Sequence, residues 1–261
     1  MPKVGIIAGS GFYEFEGVDT VDIKTVKTPF GEPSDAFRVC EASGTEFVFL
    51  SRHGTPHHIP PHMINYRANI WGLREMGVER IISVNAVGGI SPAMKPGDIV
   101  IPDQVIDMTH GRAATFYDGD KVVHIDFTDP YCPELREMIR ESGKKTDTTL
   151  NQSAVYACVN GPRLESKAEI GYFSRIGADI VGMTVMPEAC LARELELCYA
   201  VVAVVTNYAA GITAKRLTTA EVVDVMKAST EGIRKLVMDT LRLIPAQRTC
   251  GCSMALREAR M

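Results

Sequence analysis

The sequence predicts an α/β fold, a largely parallel sheet covered by helices on both faces within one domain. Three observations carry this. Short β-branched apolar runs bounded by Gly, Pro, Asn or Asp recur along the chain, as buried strands do: Val4–Ala8, Glu46–Leu50, Arg80–Val84, Asp98–Ile101, Ala154–Val159, Ile180–Met183 and Tyr199–Thr206. Helical patterns alternate with several of them, at Asn65–Met76, Pro133–Ser142, Ser166–Ile176, Pro187–Glu196 and Thr219–Ile244. Small and polar residues then collect where these runs end, the place where open α/β sheets bind ligands.

The first run leads into Gly9-Ser10-Gly11, the second into Arg52-His53-Gly54 and the third into Asn85-Ala86. Two later runs lead into Met183-Thr184 and Asn207-Tyr208-Ala209. Five such ends point to one shared site. Thr218-Thr219-Ala220-Glu221 offers a helix start with Glu near its third position, and Pro245 closes the long pattern that follows. Residues 103–133 are rich in Gly, Asp, His and aromatics and read as a long functional loop. No internal repeat or low-complexity tract divides the chain.

At 261 residues, 46% hydrophobic and 23% charged, the chain can bury one large core. A net charge of −4 argues against a broad nucleic-acid surface, so any anionic ligand is small and locally held. No stretch reaches the ~20 apolar residues that span a bilayer. Met1-Pro2-Lys3-Val4 runs straight into a strand with no apolar leader, so the expected location is cytoplasmic.

A Gly-Ser-Gly turn exposes backbone N–H groups beside a hydroxyl, an arrangement that suits phosphate oxygens. An ordinary tight turn looks the same, and a dinucleotide fingerprint would need a third glycine that Gly9-Ser10-Gly11-Phe12-Tyr13-Glu14 lacks. Arg52 offers a planar fork of donors and His53 a further one, although a surface Arg with a capping His fits equally. Thr184 adds a hydroxyl. His57, His58 and His62 are interrupted by Pro60-Pro61, which spoils helical ligand spacing, so no metal is expected there.

Taken in chain order, these residues join a longer series: Thr28-Pro29-Phe30-Gly31, Ser51-Arg52-His53-Gly54, Asn65-Tyr66-Arg67-Ala68-Asn69-Ile70-Trp71, Pro96-Gly97-Asp98-Ile99-Val100, Phe116-Tyr117-Asp118-Gly119, Gly161-Pro162-Arg163, and Gly182-Met183-Thr184 through Pro187-Glu188. The series resembles the methylthioadenosine and purine nucleoside phosphorylases of the trimeric type. The match covers residues 1–245, leaving 246–261 as a tail.

The resemblance implies a three-layer fold whose central sheet is mixed and partly barrel-like, in a homotrimer or dimer of trimers. It implies phosphate contacts from Ser10, Arg52, His53, Asn85, Ala86 and Thr184, with Met183 under the sugar. It places Leu164, Glu165, Thr219, Asn207, Tyr208 and Ala209 around the nucleoside, and His124 on a loop that completes a neighbour's site, although a solvated loop histidine fits His124 too. Inorganic phosphate is then a co-substrate and no metal or organic cofactor is required. No nucleic-acid or membrane partner is expected.

The base pocket departs from the methylthioadenosine-cleaving pattern. Asn207 and Ala209 stand where those relatives carry Asp, and Glu165 stands where 6-oxopurine enzymes carry a base-reading Glu. An ionised carboxylate accepts the N1–H of hypoxanthine or guanine but faces a bare lone pair on adenine. Glu165 also fits a helix N-terminal carboxylate. The expected activity is phosphorolysis of 6-oxopurine nucleosides or methylthioinosine, with Glu165 and Asn207 acting on the base. Methylthioadenosine cleavage is the nearest alternative; a non-catalytic nucleoside sensor and a dinucleotide oxidoreductase are remoter ones. Cys250-Gly251-Cys252 resembles a CxC element that forms a disulfide in some heat-adapted archaeal members, while two reduced thiols fit as well; two thiols alone are too few for tetrahedral zinc.

Overall fold

The apolar runs form the sheet because alternate residues on each strand face two separate cores. A computed structural model describes residues 3–9, 18–42, 44–145, 150–214 and 218–259, so Ser10 and Gly11 lie outside the described residues. The strands are β1 (Val4–Ala8), β2 (Asp19–Lys24), β3 (Phe37–Ala42), β4 (Thr45–Ser51), β5 (Arg80–Gly89), β6 (Ile99–Val100), β7 (Gln104–Asp107), β8 (Leu150–Asn151), β9 (Val155–Cys158), β10 (Ile180–Gly182) and β11 (Cys198–Tyr208). The helices are α1 (Tyr66–Glu75), α2 (Pro133–Gly143), α3 (Lys167–Arg175), α4 (Val185–Glu194) and α5 (Thr219–Leu243).

On β11, Cys198, Ala200, Val202 and Val204 join one core with residues of α2 and α5. Tyr199, Val201, Ala203 and Val205 join the other, with residues of α1 and α4. A strand buried on both faces favours apolar side chains on both, which is why Cys198–Val205 reads as a nearly unbroken apolar run. Three layers result. A third, smaller apolar group packs Ile170 and Phe173 of α3 against Ile90, Ala157, Val181 and Ala209.

The sheet is mixed. Parallel pairs join β1 to β4 and β5, β5 to β11, β9 to β7 and β10, and β6 to β8. The β2-β3-β4 meander is antiparallel, as are β5–β10 and β6–β11. The largely parallel expectation therefore holds for the centre only, since β3 and β4 are joined by a connection too short for a crossover. The long strand β5 pairs β1 over Arg80–Val84 and β10 over Gly88–Gly89, with β11 alongside throughout. The sheet thus forks at β5, and the fork opens a space between β1 and β10.

Caps follow the sequence. Asn65 accepts the Ala68 N–H at 3.2 Å to start α1, Thr218 accepts the Glu221 N–H at 3.2 Å to start α5, and Ser166 with Glu169 forms a capping box on α3. The side chain of Thr219 is outside what is described. Among the described residues no helix is long and apolar enough to cross a membrane. The tail docks on the body: Arg248 donates to the Glu196 carbonyl at 2.7 Å, and the Leu256 N–H donates to the Glu196 carboxylate at 3.3 Å.

Packing decides one helix position against propensity. Alanine favours a helix interior over glycine by ~1 kcal/mol, but a Cβ on Gly72 of α1 would lie 2.3 Å from Cζ of the fully buried Phe37 ring. Overpacking of this kind costs ~1–3 kcal/mol. Gly72→Ala is expected to lower stability in chemical denaturation; a gain would show that the ring moves freely.

Candidate active site

A cavity of about 200 Å³ opens where the sheet forks. Gly9 follows β1, Arg52 and His53 follow β4, and Met183 and Thr184 follow β10, as the strand-end rule requires. Asn85, Ala86 and Asn207 differ from expectation, for they sit inside β5 and β11. The pairing jumps from Val205–Val87 to Asn207–Gly88, so Thr206 is an extra residue and the bulge turns Asn207 toward the cavity.

Arg52, His53 and Thr184 cluster at one end of the cavity. The Arg52 guanidinium is 1% exposed, and its Nε and Nη2 edge is spent on Glu188, at 2.6 and 3.2 Å. Nη2 also reaches Ser83 Oγ at 2.6 Å, and Nη1 donates to the Val84 carbonyl at 3.0 Å. Arg52 therefore does not offer its fork to a ligand as the sequence reading expects. Nη1 is the group on the cavity side, 3.4 Å from where a Cβ on Gly9 would lie. Burial works against the charge, but pairing with Glu188 more than offsets it and the Arg52 pKa rises.

Glu188 is itself fully buried and accepts from the Tyr199 hydroxyl at 2.8 Å, with the Ser83 hydroxyl in reach at 3.1 Å. Both ends of the Asn85 amide are engaged within the protein. Its Nδ2 donates to Thr184 Oγ1 at 2.5 Å and its Oδ1 is 3.0 Å from Ser83 Oγ. A threonine oxygen already accepting from Asn85 presents its own hydrogen outward, so Asn85 positions Thr184 as a donor.

His53 differs from expectation in the same way. Nδ1 lies 2.8 Å from the Ile59 carbonyl, which can only accept, so Nδ1 carries the hydrogen. Burial and then the Arg52 charge hold the His53 pKa down to about 3. The ring is neutral at pH 7, and Nε2, beside Gly9, is an acceptor. It suits an oxyanion that still holds a proton.

The other end is bordered by Asn207, Leu164 and Glu165. The Asn207 amide is fixed by Thr206 Oγ1, 2.9 Å from its oxygen, and by donation from Nδ2 to the Tyr208 carbonyl at 2.9 Å, leaving a second Nδ2 hydrogen. Leu164 and Glu165 form the opposite wall. The Ser166–Glu169 box already occupies the α3 N-terminus, so Glu165 is not that helix's capping carboxylate. Burial pushes the Glu165 carboxyl above the usual carboxylate range, reinforced by Glu169. Met183 bridges the two ends, and its sulfur fixes Gly161: a Cβ there would lie 2.4 Å from Sδ, at a φ of +62°.

Residues 3–242 match the phosphorylase superfamily.
The chain belongs to that superfamily.
It is 51% identical over 258 residues, 98% of this chain and 97% of the relative, to a probable S-methyl-5'-thioinosine phosphorylase of Thermodesulfovibrio yellowstonii. It is 50% identical to the 6-oxopurine nucleoside phosphorylase of Pyrococcus furiosus, across 99% of both chains. A crystal structure of a methylthioadenosine phosphorylase from an antarctic soil metagenomic library superposes with a TM-score of 0.93 at 34% identity, covering 100% of this chain and 92% of that one.

Within this phosphorylase the expected residues Arg52, His53, Asn85, Ala86, Leu164, Glu165, Met183, Thr184 and Asn207 border one cavity. Tyr208 and Ala209 do not line it, Ala209 packing into the apolar group under α3. His124 is exposed on the loop after β7, its N–H donating to the Ala259 carbonyl at 2.8 Å. Sequence reasoning missed Glu188, Ser83 and Tyr199 as the setting of Arg52, and His57, Pro61, Val222 and Met226 as cavity walls. A lone acid inside Val185-Met186-Pro187-Glu188-Ala189-Cys190-Leu191-Ala192 was the available signal for the first. Val222 and Met226, one turn apart, could have been found as a face of α5.

Two outcomes test this geometry. Glu188→Ala leaves a buried guanidinium uncompensated and is expected to cost ~3–5 kcal/mol of stability, measured by denaturant unfolding. His53 is held below its unfolded pKa, so the unfolded chain binds the extra proton between about pH 6.5 and 3, and stability falls as pH drops through that window. The stability difference between wild type and His53→Gln therefore shrinks on acidification; a constant difference would contradict a neutral buried ring.

Proposed function

We propose that this phosphorylase cleaves the N-glycosidic bond of purine nucleosides with inorganic phosphate, giving free base and ribose 1-phosphate or its methylthio analogue. The observation that carries the reading is a single cavity with oxyanion partners at one end, Arg52, His53 and Thr184, and base-reading groups at the other, Glu165 and Asn207. Relatives named as 6-oxopurine and methylthioinosine phosphorylases, about half identical along the whole chain, support it.

The chemistry follows from charge. Hydrogen phosphate gives its O–H to the neutral His53 Nε2 and accepts from Arg52 Nη1 and the Thr184 hydroxyl, with Ser10 a further donor on the family resemblance. An unprotonated phosphate oxygen attacks C1′ as the C1′–N9 bond breaks with its electron pair leaving on the purine; the purine anion then takes a proton from solvent while the ribose 1-phosphate gives its own proton up to solvent. Positive charge building on the sugar faces the phosphate, and negative charge on the base meets the spare Nδ2–H of Asn207. No metal or organic cofactor is invoked.

Glu165 carries the preference for 6-oxopurines. Ionised, it accepts their N1–H; opposite the bare N1 of adenine it leaves a polar group unmet, at a cost of ~1–3 kcal/mol. Its carboxyl is held above the usual range, so lowering the pH protonates it and makes it a donor that adenine can accept. The apolar wall of Val222 and Met226 favours a methylthio substituent as a second substrate type, so methylthioinosine stands beside inosine. The active unit on this reading is a homotrimer or dimer of trimers in the cytoplasm, with the partner subunit's His124 closing each cavity.

A panel of inosine, guanosine, methylthioinosine, adenosine and methylthioadenosine, with and without phosphate, tests the activity. Phosphate-dependent release of hypoxanthine at least tenfold faster than adenine is expected, as roughly 1.4 kcal/mol would give. Cleavage without phosphate, or of none of the five, would sink the proposal. The inosine-to-adenosine ratio of kcat/KM should rise with pH through the Glu165 titration and become flat in Glu165→Gln, as stopped pH profiles would register. Asn207→Asp combined with Glu165→Gln should move preference toward adenine.

A further inference from the structure

The sequence leaves Cys250 and Cys252 as a disulfide or as two reduced thiols in a tail; in the structure they are not isolated. Cys250, which precedes a short turn (Gly251–Met254) in the tail, and Cys252, which lies within it, meet Cys132 at the start of α2 and Cys198 at the start of β11. All four sulfurs lie within 4.8 Å of one another, and Cys198 Sγ is 3.4 Å from Cys250 Sγ. Three of the four residues are buried and Cys250 is half-buried.

We propose that these four cysteines form a closed tetrahedral site for one thiophilic divalent cation of the zinc class. Metal–sulfur bonds of ~2.3 Å place the sulfurs of such a tetrahedron ~3.8 Å apart, the spacing to which this cluster lies close. The ligands come from three separate parts of the chain, so small side-chain adjustments bring each sulfur to the centre. Binding converts four thiols to thiolates, releasing four protons and leaving a net charge of −2 on the loaded cluster.

The surroundings suit that charge. The Leu135 N–H in the first turn of α2 points at Cys132 Sγ from 3.4 Å, and Arg193 Nη1 approaches Cys252 Sγ at 3.9 Å. Donors to ligand sulfur orient and stabilise thiolates in metal sites. Glu134 adds negative charge nearby, but its carboxylate is engaged by the N–H groups of Thr249 and Cys250, both at 3.1 Å, which fixes the turn presenting two ligands. With four protein ligands the site has no open position, so its role is structural.

The site also has a place in the architecture. The Cys132 N–H donates to the Tyr199 carbonyl at 2.8 Å, one residue after Cys198 and on the tyrosine that holds Glu188. Arg193 also donates to the Asp129 carbonyl, and the tail beyond the turn accepts from His124 through Ala259. The cation thus ties tail, helix and strand together at the base of the loop that carries His124.

Metal analysis of the full-length chain, purified under reductant after growth with zinc, tests this without reference to activity. About one zinc per chain is expected, falling below about a tenth in Cys132→Ser and Cys252→Ser. Cobalt in its place should give the intense visible bands of tetrahedral thiolate coordination; this reading on the wild-type chain decides the matter if the variants fail to fold. Stripping with a thiol-directed mercurial, then reducing to free the thiols, should lower the melting temperature by roughly 5–10 °C. Negligible zinc with all four thiols open to alkylation, or paired as disulfides by intact mass, would overturn the site. An unchanged melting temperature on stripping would overturn its clamping role.

Discussion

The buried pair of Arg52 and Glu188 is the interaction on which the site depends. A guanidinium and a carboxylate removed from water cost several kcal/mol each, and their attraction recovers this only with good geometry and further hydrogen bonds. Here Nε and Nη2 meet both carboxylate oxygens while Ser83, Tyr199 and the Val84 carbonyl take up remaining valences. The pair spans β4 and α4 across β5, fixing the relative position of two cavity walls. It also settles what is left for a ligand: one edge of a guanidinium whose charge is already balanced. An anion bound there is held by directed N–H and O–H groups more than by net positive charge.

The same network explains why neighbouring polar residues are placed as they are. Asn85 is drawn to Ser83 and Thr184, turning the threonine hydrogen outward. His53 lies beside a permanent cation in a buried setting and gives its one hydrogen to Ile59, so it remains neutral. On the phosphorolysis reading this division is useful, because hydrogen phosphate brings both acceptor oxygens and one proton that needs an acceptor. At the opposite end, Asn207 and Glu165 sit on a strand bulge and a helix lead-in respectively, apart from that network. On the proposed reading, base preference can change without rebuilding the Arg52 network, and relatives of similar identity carry names that specify 6-oxopurine, methylthioinosine or methylthioadenosine.

Much was legible in the chain. Double-sided apolar strands such as Val4–Ala8 and Cys198–Tyr208 announce themselves because burial on both faces disfavours polar residues, and α1, α2, α3 and α5 were bounded by Asn65, Pro133, Ser166 and Thr218. The exposed strand Asp19–Lys24 was not legible, having one neighbour and mostly solvent around it, so no hydrophobic pattern is imposed. Of the residues that border the cavity, Arg52, His53, Thr184 and Asn207 stood out as polar residues beside apolar runs, while Glu165 was reached through the family resemblance. Their roles were less visible: which donor faces the cavity depends on partners up to 136 positions away.

The sequence by itself determined the layered α/β plan and the collection of polar residues at strand ends, because each is set by local periodicity or residue chemistry. Only the tertiary structure decided that Arg52 spends its fork on Glu188, that His53 accepts rather than donates, and that Cys250 and Cys252 meet Cys132 and Cys198. Hydrogen-bond valence and charge balance are properties of everything within a few ångströms, and that neighbourhood exists only once distant segments are packed together.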